Sequence, residues 1–512
     1  MTAIRDSFIG DRLLLFCSML LRLYRESATG RACSALGRRL HKGAAQSVIL
    51  QICARKGVLA RKWKDSAAYR ITDRAANFLL PFFHWLRRFP RVRESAVVGF
   101  CIGAGKRAYL LLGLLYLIMM VAPHAYWNNV YGFVGVLIIA LLFFLSRMPG
   151  REHGLDVERF GVYFVLYALT LVSGLVFSYR ISLSLRFFLF YLTCLLTVLL
   201  LLSAVETVAQ LKRLLAIVLG GTTVSALYGC YQSIVGVAIN YAQVDYSLEL
   251  NANIPGRIYS FFDNPNNFAE ILVMLLPLYL AFLFISKGWL KKFLVFAALI
   301  PALVAMLKTY SRSGWIGLAI AALIFFAFLN WRLVPLFIVG GIVAFPLMPQ
   351  TMIDRVLTIG NKQDSSTMYR FQIYQTLIPM FKDYWKSGVG LGSDVVKEMI
   401  MKYPTELYNG AYPIHSHNTY FQVWIEMGIL GILSFLGGLL FQIKEGVRRI
   451  VSPRISRDLK CIIGAGVAGI CGMAVMSAVE YTWFYPRVMF FFWFLLGIVM
   501  TGVRLAGKKT QS

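Results

Sequence analysis

Long apolar stretches determine the fold class of this chain before any single residue is considered. Twelve stretches are apolar enough and long enough to cross a bilayer, at residues 108–122, 130–146, 160–178, 187–205, 214–238, 268–285, 293–308, 314–329, 333–348, 419–442, 461–480 and 488–503. Hydrophobic residues make up 58% and charged residues 15% of the 512 positions, against roughly 45–50% and 25% in soluble domains. In hydrocarbon every backbone polar group needs an internal partner, which favours helices. We therefore expect an all-α polytopic membrane protein with about twelve transmembrane helices.

The distribution of basic residues predicts the orientation. If the N-terminus is cytoplasmic, the inner connections hold eighteen Lys and Arg, whereas the short outer connections hold six. Cytoplasmic loops of membrane proteins carry the excess of basic residues. Both termini are therefore predicted to be cytoplasmic, and residues 349–418, between spans 9 and 10, become one large outer loop.

Residues 1–107 form a basic segment, and residues 108–512 form the predicted membrane domain. The basic segment holds 21 of the 52 Lys and Arg but only six acids. This excess indicates a cytoplasmic region whose interfacial helices rest on anionic lipid. The apolar run at 13–21 also resembles a signal peptide, but Asp6 and Asp11 dilute its positive flank.

Two outer connections are too long to be simple turns. The first, 239–267, ends in IPGRIYSFFDNPNNFAE, and the second is the loop at 349–418. In the second, MYRFQIYQTLIPMFKDYW and DVVKEMIMKY carry apolar residues at helical spacing, and SGVGLGSD between them is a glycine-rich turn. We expect this loop to be partly helical. Long loops in compact proteins are usually functional, so the chemistry is expected on the outer side.

Two arginines, Arg257 and Arg312, stand at the outer ends of apolar spans, where a cation is costly. An arginine inside a membrane helix costs about 2.5–3.5 kcal/mol on insertion scales, so it usually has a partner or a task. Guanidinium groups fork onto phosphate oxygens, and a lipid diphosphate carries its phosphates at this depth. The alternatives are that Arg312 extends to the outer headgroups and that Arg257 belongs to an ordinary turn rich in Asn and Pro.

A polar set, His415, Ser416, His417 and Asn418, meets a long apolar helix in AYPIHSHNTYFQVWIEMGILG at 411–431. An imidazole with its ordinary pKa of about 6.5 can take a proton from a group that arrives from water. The alternative is that the histidines cap the helix and bind interfacial water. A metal site is not expected, because the other four histidines lie elsewhere and none of the eight cysteines falls in an outer loop.

Together these residues resemble the superfamily of bacterial O-antigen ligases and O-antigen polymerases, which are multi-span glycosyltransferases. The resemblance covers about residues 200–445 and the twelve-span layout. It is carried by GRIYSFFDNPNNFAE, YSRSGWIG, YRFQIYQ followed by GVGLG, and HSHNTYFQVWIEMGILG, in that order.

The resemblance implies roles for individual residues. By motif, Arg257 and Arg312 would bind a diphosphate, and His417 would be catalytic. Further candidates for substrate binding are Arg370, His415 and Asn418.

The resemblance also implies a reaction. A glycan would pass from a polyprenyl diphosphate carrier to an acceptor hydroxyl at the outer face of the bacterial cytoplasmic (inner) membrane, in cell-surface polysaccharide biosynthesis. The expected enzyme is an inverting glycosyltransferase that needs neither metal nor cofactor. Its expected partners are the lipid-linked glycan donor, a glycan or lipid acceptor and membrane lipid, but not nucleic acid. Ligase and polymerase differ in the acceptor, which is selected by loop shape rather than by a motif.

Two other function classes stay open. In a multi-span transporter, the arginines and histidines would bind an anionic substrate or relay protons. Most ionisable residues cluster at the outer boundary rather than near mid-membrane. The exceptions are Glu270, Glu426 and Glu480, of which Glu480, directly before Tyr481, is also expected at the outer interface. A structural or assembly subunit would use the basic N-terminal segment for docking and leave the arginines and histidines without a task.

Overall fold

The computed structural model describes residues 57–147, 154–240, 243–244, 246, 248–361, 365–403 and 412–508, together with seven single positions before residue 36. Within these ranges the regular elements are helices, and no strand occurs. In chain order the α-helices are α1 Val58–Lys62, α2 Ala67–Ala76, α3 Leu80–Leu86, α4 Pro90–Arg93, α5 Ala96–Lys106, α6 Ala108–Val121, α7 Asn129–Ser146, α8 Val157–Phe160, α9 Val162–Val176, α10 Ile181–Ala204, α11 Val208–Val235, α12 Pro265–Ile285, α13 Trp289–Lys308, α14 Arg312–Asn330, α15 Leu333–Ala344, α16 Gln350–Leu357, α17 Ser365–Tyr384, α18 Ser393–Ile400, α19 Thr419–Ile450, α20 Arg457–Met476 and α21 Pro486–Lys508.

The predicted all-α polytopic fold is confirmed. In the described part of the chain, nine helices are long and apolar enough to cross a membrane, namely α7, α10 to α14 and α19 to α21. Two bent pairs, α5 with α6 and the segment Leu333–Leu347 with α16, raise the number to eleven if each counts as one span. α9 is a shorter apolar helix. Each predicted stretch contains one of these helices, while the number twelve and the orientation stay predictions.

Helix boundaries differ from the predicted ones where polar residues act as caps or bends. α11 begins at Val208 rather than near residue 214, because Thr207 and Gln210 form a reciprocal capping box. α5 and α6 meet at a 76° bend. Apolar helix therefore begins before the predicted domain boundary at residue 108.

α21 is the central helix of the bundle and packs against α10, α12, α19 and α20. Within its span 94% of the residues are buried, compared with 22% in α13 and 28% in α14. The large apolar side chains left exposed on the outer helices have the character expected of a lipid-facing surface.

A close contact between α14 and α20 positions residues at one end of the bundle. A Cβ atom on Gly472 would collide with the carbonyl oxygen of Gly317. Small residues at such contacts let membrane helices approach closely. Because α14 begins at Arg312 and Glu480 follows the end of α20, this contact places both charged residues at the same end.

The outer loop predicted at 349–418 contains three helices among its described residues, α16, α17 and α18. The two predicted amphipathic segments correspond to α17 and α18. Apolar side chains from these helices pack against Ile425 of α19, including Ile373, Leu377, Met380, Val395 and Val396. The described part of the loop is therefore packed onto the membrane helices.

Candidate functional site

The turn between α13 and α14 brings three arginines together. The Nε–H group of Arg257 donates to the carbonyl oxygen of Thr309 at 2.7 Å. The Nε of Arg355, in α16, lies 3.5 Å from the carbonyl oxygen of Tyr310. Arg312 follows directly as the first residue of α14. We call Arg257, Arg312 and Arg355 the arginine cluster.

Further contacts hold the arginine cluster together. The Nη1 group of Arg312 donates to the carbonyl and hydroxyl oxygens of Thr358, at 3.1 and 2.9 Å, and the Thr358 hydroxyl donates to the carbonyl oxygen of Arg355 at 2.8 Å. Beside them a small apolar cluster joins the first outer connection, the turn and α16, and it consists of Val244, Ile254, Tyr310 and Met352. Three distant segments are thereby fixed relative to one another.

Arg257 is a buried cation, with 7% of its surface exposed. Besides Thr309, it donates to the carbonyl oxygen of Gln243 at 3.2 Å and to Oδ1 of Asn266 at 2.7 Å. Among the described residues none of its partners is a carboxylate. Burial, followed by the positive charge of Arg355, lowers the pKa of Arg257 to about 9. The guanidinium still carries its charge at neutral pH, so an anion would stabilise this region.

A second cluster surrounds His417. Its Nδ1 lies 3.4 Å from Oε2 of Glu480, and the Nη2 group of Arg370 donates to Oε1 of the same carboxylate at 2.6 Å. The ring of Tyr369 packs edge-on against the His417 ring, with centroids 5.8 Å apart. We call His415, His417, Arg370 and Glu480 the histidine cluster.

Glu480 is ionised although it is 8% exposed. Burial alone would raise its pKa, but the charge of Arg370 and the hydrogen bond from His417 outweigh burial and lower the pKa to about 2. An ionised carboxylate only accepts hydrogen bonds, so Nδ1 of His417 carries the proton in this pair. In the neutral form of His417 the free lone pair is then on Nε2.

His415 differs from its neighbour. Burial, followed by the charge of His417, lowers the pKa of His415 to about 3, so this imidazole stays neutral and is a weak base at neutral pH. Its Nδ1 accepts from the backbone N–H of His417 at 3.3 Å. Its ring packs against Phe484 and Tyr481, with centroid distances of 4.6 and 5.6 Å. His415 thus supports the position of His417.

Asn418 caps α19. Its Oδ1 accepts from the backbone N–H of Phe421, and its Nδ2 donates to the carbonyl oxygen of Ala478, both at 3.0 Å. Both ends of the amide are therefore engaged within the protein. The helix cap predicted as an alternative role for the histidines belongs to Asn418 instead.

The two clusters lie at the same end of the bundle and influence each other electrostatically. The negative charge of Glu480 acts on the pKa of Arg257, and the positive charge of Arg312 acts on it as well. All six residues predicted from the sequence belong to these clusters or adjoin them. In the described ranges no three His, Cys, Asp or Glu side chains are arranged to hold a metal ion.

Residues 296–436 match the family model described as O-antigen ligase. The chain carries an O-antigen ligase domain. This match confirms the resemblance to the O-antigen ligase and polymerase superfamily. A search of curated proteins finds no match to the chain. The domain and the pattern of apolar helices identify a multi-pass membrane protein of cell-surface polysaccharide biosynthesis, with a glycosyltransferase-like activity on a lipid-linked glycan.

The O-antigen ligase domain contains most of the site. Arg312, Arg355, Arg370 and His417 lie inside the matched residues, whereas Arg257 precedes them and Glu480 follows them. The two clusters are therefore completed by segments on both sides of the matched domain.

A glycine-dependent break in α19 positions the outer loop of the O-antigen ligase domain. At Gly428 the backbone leaves the helical conformation, with φ of 68° and ψ of −170°. The predicted glycine-rich turn fits into this break, where the Gly390 N–H donates to the carbonyl oxygen of Glu426 at 3.1 Å. A Cβ on Gly428 would collide with the carbonyl oxygen of Lys386. The turn thereby satisfies a carbonyl group that the break exposes.

Unusual backbone conformations fall in the three sequence motifs of the site. Among the described residues, the non-glycine positions with positive φ are Ser260 (55°), Asp263 (65°), Tyr310 (50°) and His417 (49°). They lie in GRIYSFFDNPNNFAE, in KTYSR and in HSHN. Such conformations cost about 1–3 kcal/mol each and tend to occur at functional sites.

Sequence reasoning missed Arg355 and understated Glu480. Residues 349–418 hold seven basic residues, of which Arg355 and Arg370 are arginines and the others lysines. Because arginine binds phosphate with a forked guanidinium group, this difference could have singled out Arg355. Glu480 was placed at the outer interface but given no role in the site. Its signal was a carboxylate at the outer end of a span, immediately before the aromatic stretch YTWFY.

Proposed function

We propose that this protein transfers a glycan from a polyprenyl diphosphate carrier to an acceptor hydroxyl at the outer face of the bacterial cytoplasmic membrane. The observation that carries the proposal is the pairing of two clusters at one end of an apolar bundle. One offers a buried arginine whose described partners include no carboxylate, and the other offers an imidazole held by a carboxylate.

The arginine cluster supplies the diphosphate site in this proposal. Arg257 and Arg312 bind the phosphate oxygens, and we add Arg355 because it contacts the same turn. Diphosphate is already a good leaving group, so its departure needs stabilisation of the growing negative charge rather than a proton donor. Guanidinium groups supply that stabilisation with two parallel N–H groups each.

His417 acts on the acceptor hydroxyl. Its Nε2 takes the hydroxyl proton while the acceptor oxygen attacks the anomeric carbon and the bond from that carbon to the diphosphate oxygen breaks. Glu480 orients the ring and stabilises the imidazolium that forms, in the way a carboxylate supports a catalytic histidine. One displacement of this kind inverts the anomeric carbon. The proposed reaction uses no metal and no cofactor.

Arg370, His415 and Asn418 border the reacting groups. Arg370 shares the carboxylate of Glu480, and His415 packs directly against His417. We propose that Arg370 and His415 form the acceptor side of the site and that the bound acceptor contacts them. Asn418 contributes by fixing the start of α19.

The proposal is tested by His417→Ala in membranes with matched expression, with glycan transfer from a lipid-linked donor as the readout. We expect transfer to fall by roughly 100-fold or more, the usual effect of losing a general base. His84→Ala, in α3 outside both clusters, is the matched control and should retain the wild-type rate. Near-normal transfer by His417→Ala would remove His417 from the mechanism.

A transporter of an anionic substrate is the second candidate function. Glu270 and Glu426 favour it, because they are 3% and 0% exposed within membrane-spanning helices. Deletion of the gene followed by analysis of lipid-linked glycans separates the functions. Accumulated single repeat units would indicate a polymerase and accumulated long chains a ligase, whereas unchanged pools would favour the transporter.

A further inference from the structure

A charged cavity lies at the opposite end of the bundle from the histidine cluster. α19 starts beside His417, and the cavity lies near its other end, next to the end of α21 and to α8. Its volume is about 310 Å³. In the predicted orientation this end faces the cytoplasm. Four arginines line the cavity, Arg159, Arg448, Arg449 and Arg504.

Both carboxylates in the wall of this cavity are already paired, as are two of its arginines. The pairs are Arg159 with Asp156 at 2.8 Å, Arg448 with Glu445 at 2.7 Å, and Glu158 with Lys64 at 3.0 Å. Each carboxylate is therefore shared with a basic group, although Oε1 of Glu445 has no hydrogen-bond partner among the described residues. Four arginines against two carboxylates leave the wall of the cavity with a net positive charge.

Arg504 and Arg449 carry the positive charge that the cavity presents. Arg504 is 7% exposed and donates to the carbonyl oxygen of Val205, while its Nε has no partner. The Nε of Arg449 is likewise buried without a partner. Among the described residues neither guanidinium forms a salt bridge. Burying a guanidinium group without a salt bridge is costly, so an anion in the cavity would stabilise these two arginines.

The remaining wall of the cavity indicates what kind of anion fits. Apolar and aromatic side chains line it, namely Trp63, Val162, Tyr163, Phe441, Met500 and Val503. We propose that the cavity binds the phosphate group of an anionic phospholipid from the inner leaflet, with Arg449 and Arg504 on the phosphate and the apolar wall against the attached chain. Basic pockets between membrane helices on the cytoplasmic side recognise such headgroups.

This site also gives the basic N-terminal segment a connection to the membrane domain. Ala60 and Trp63, from the middle of that segment, line the cavity together with α8, α19 and α21. A bound phospholipid would contact both parts. The inference depends on the predicted orientation but not on glycan transfer, so its test uses lipid binding alone.

The test measures lipid retained by the purified full-length protein. Native mass spectrometry after delipidation and addition of phosphatidylglycerol compares the wild type, Arg449→Gln and the double variant Arg449→Gln with Arg504→Gln. We expect the affinity of the double variant for the lipid to be lower by roughly 10-fold or more. Each basic residue near anionic lipid raises the affinity about 5-fold. Arg449→Gln alone should show an intermediate loss, which keeps the test valid if the double variant fails to fold.

Two controls distinguish the sources of the phosphate group. Arg454→Gln removes an exposed arginine at the same end that does not line the cavity, and it should retain wild-type binding. Inorganic phosphate at high concentration should not displace the lipid. Equal lipid retention by Arg449→Gln and the wild type would overturn the proposal, and displacement by inorganic phosphate would reassign the cavity to a soluble anion.

Discussion

The link between Glu480 and His417 makes the sharpest quantitative prediction. Glu480→Gln keeps the size of the side chain and removes its charge. Burial opposes ionisation of Glu480, yet its partners lower its pKa from 4.5 to about 2, a net preference of about 3 kcal/mol for the ionised form. Arg370 supplies part of the stabilisation of the ionised carboxylate, and His417 supplies another part. We therefore expect transfer by Glu480→Gln to fall roughly 10- to 100-fold, because the imidazolium formed in the reaction loses its partner.

The assay is the initial rate of glycan transfer by purified protein in proteoliposomes, with donor and acceptor both varied. Loss of the carboxylate should lower kcat more than it raises KM for the donor, since the arginine cluster is intact. Glu480→Asp, which retains the charge, should recover part of the rate. Glu398→Gln is the matched control, because it removes a partly exposed partner of Arg180 in a surface ion pair that contributes at most about 1 kcal/mol. A wild-type rate in Glu480→Gln would refute the role given to this carboxylate.

Four further predictions follow from the same contacts. Arg355→Lys should lower transfer roughly 10-fold or more, because an ammonium group cannot fork onto phosphate; an unchanged rate would exclude Arg355 from the diphosphate site. Gly428→Ala should destabilise the protein by about 1–3 kcal/mol from the backbone alone, measured by thermal unfolding in detergent, whereas Gly220→Ala has open space around it and should not. The lowered pKa of Glu480 contributes stability that is complete above about pH 4.5 and is lost as the pH falls towards 2, so wild-type unfolding temperature should decline over this window more than that of Glu480→Gln. Chelation with EDTA should leave the transfer rate unchanged; a loss restored by added metal would contradict the metal-free reaction.

Sequence periodicity and charge predicted the fold class because membrane spans obey simple rules. Length and apolar composition locate α10 to α14 and α19 to α21 without any knowledge of their partners. They do not reveal where a helix bends. The 76° bend between α5 and α6 and the break at Gly428 depend on contacts with distant segments.

The candidate site was predictable where local sequence is unusual and not where tertiary contacts define it. Arg257, Arg312 and His417 occur in turns rich in Asn, Gly or His beside apolar spans, which draws attention to them. Arg355 lies on an ordinary amphipathic helix, and its place in the arginine cluster arises from its approach to Tyr310, 45 residues earlier. Glu480 is separated from His417 by 63 residues. The role of Glu480 depends on the packing of the end of α20 beside the start of α19.

The central claim is that the arginine cluster binds the donor while His417 acts on the acceptor in the same site. The most direct measurement compares donor binding and transfer in purified Arg257→Lys and His417→Ala proteins supplied with a polyprenyl diphosphate-linked glycan. We expect His417→Ala to bind the donor as the wild type does but to transfer no glycan, and Arg257→Lys to lose donor binding. Normal transfer by either variant, or equal loss of donor binding in both, would contradict this division of roles.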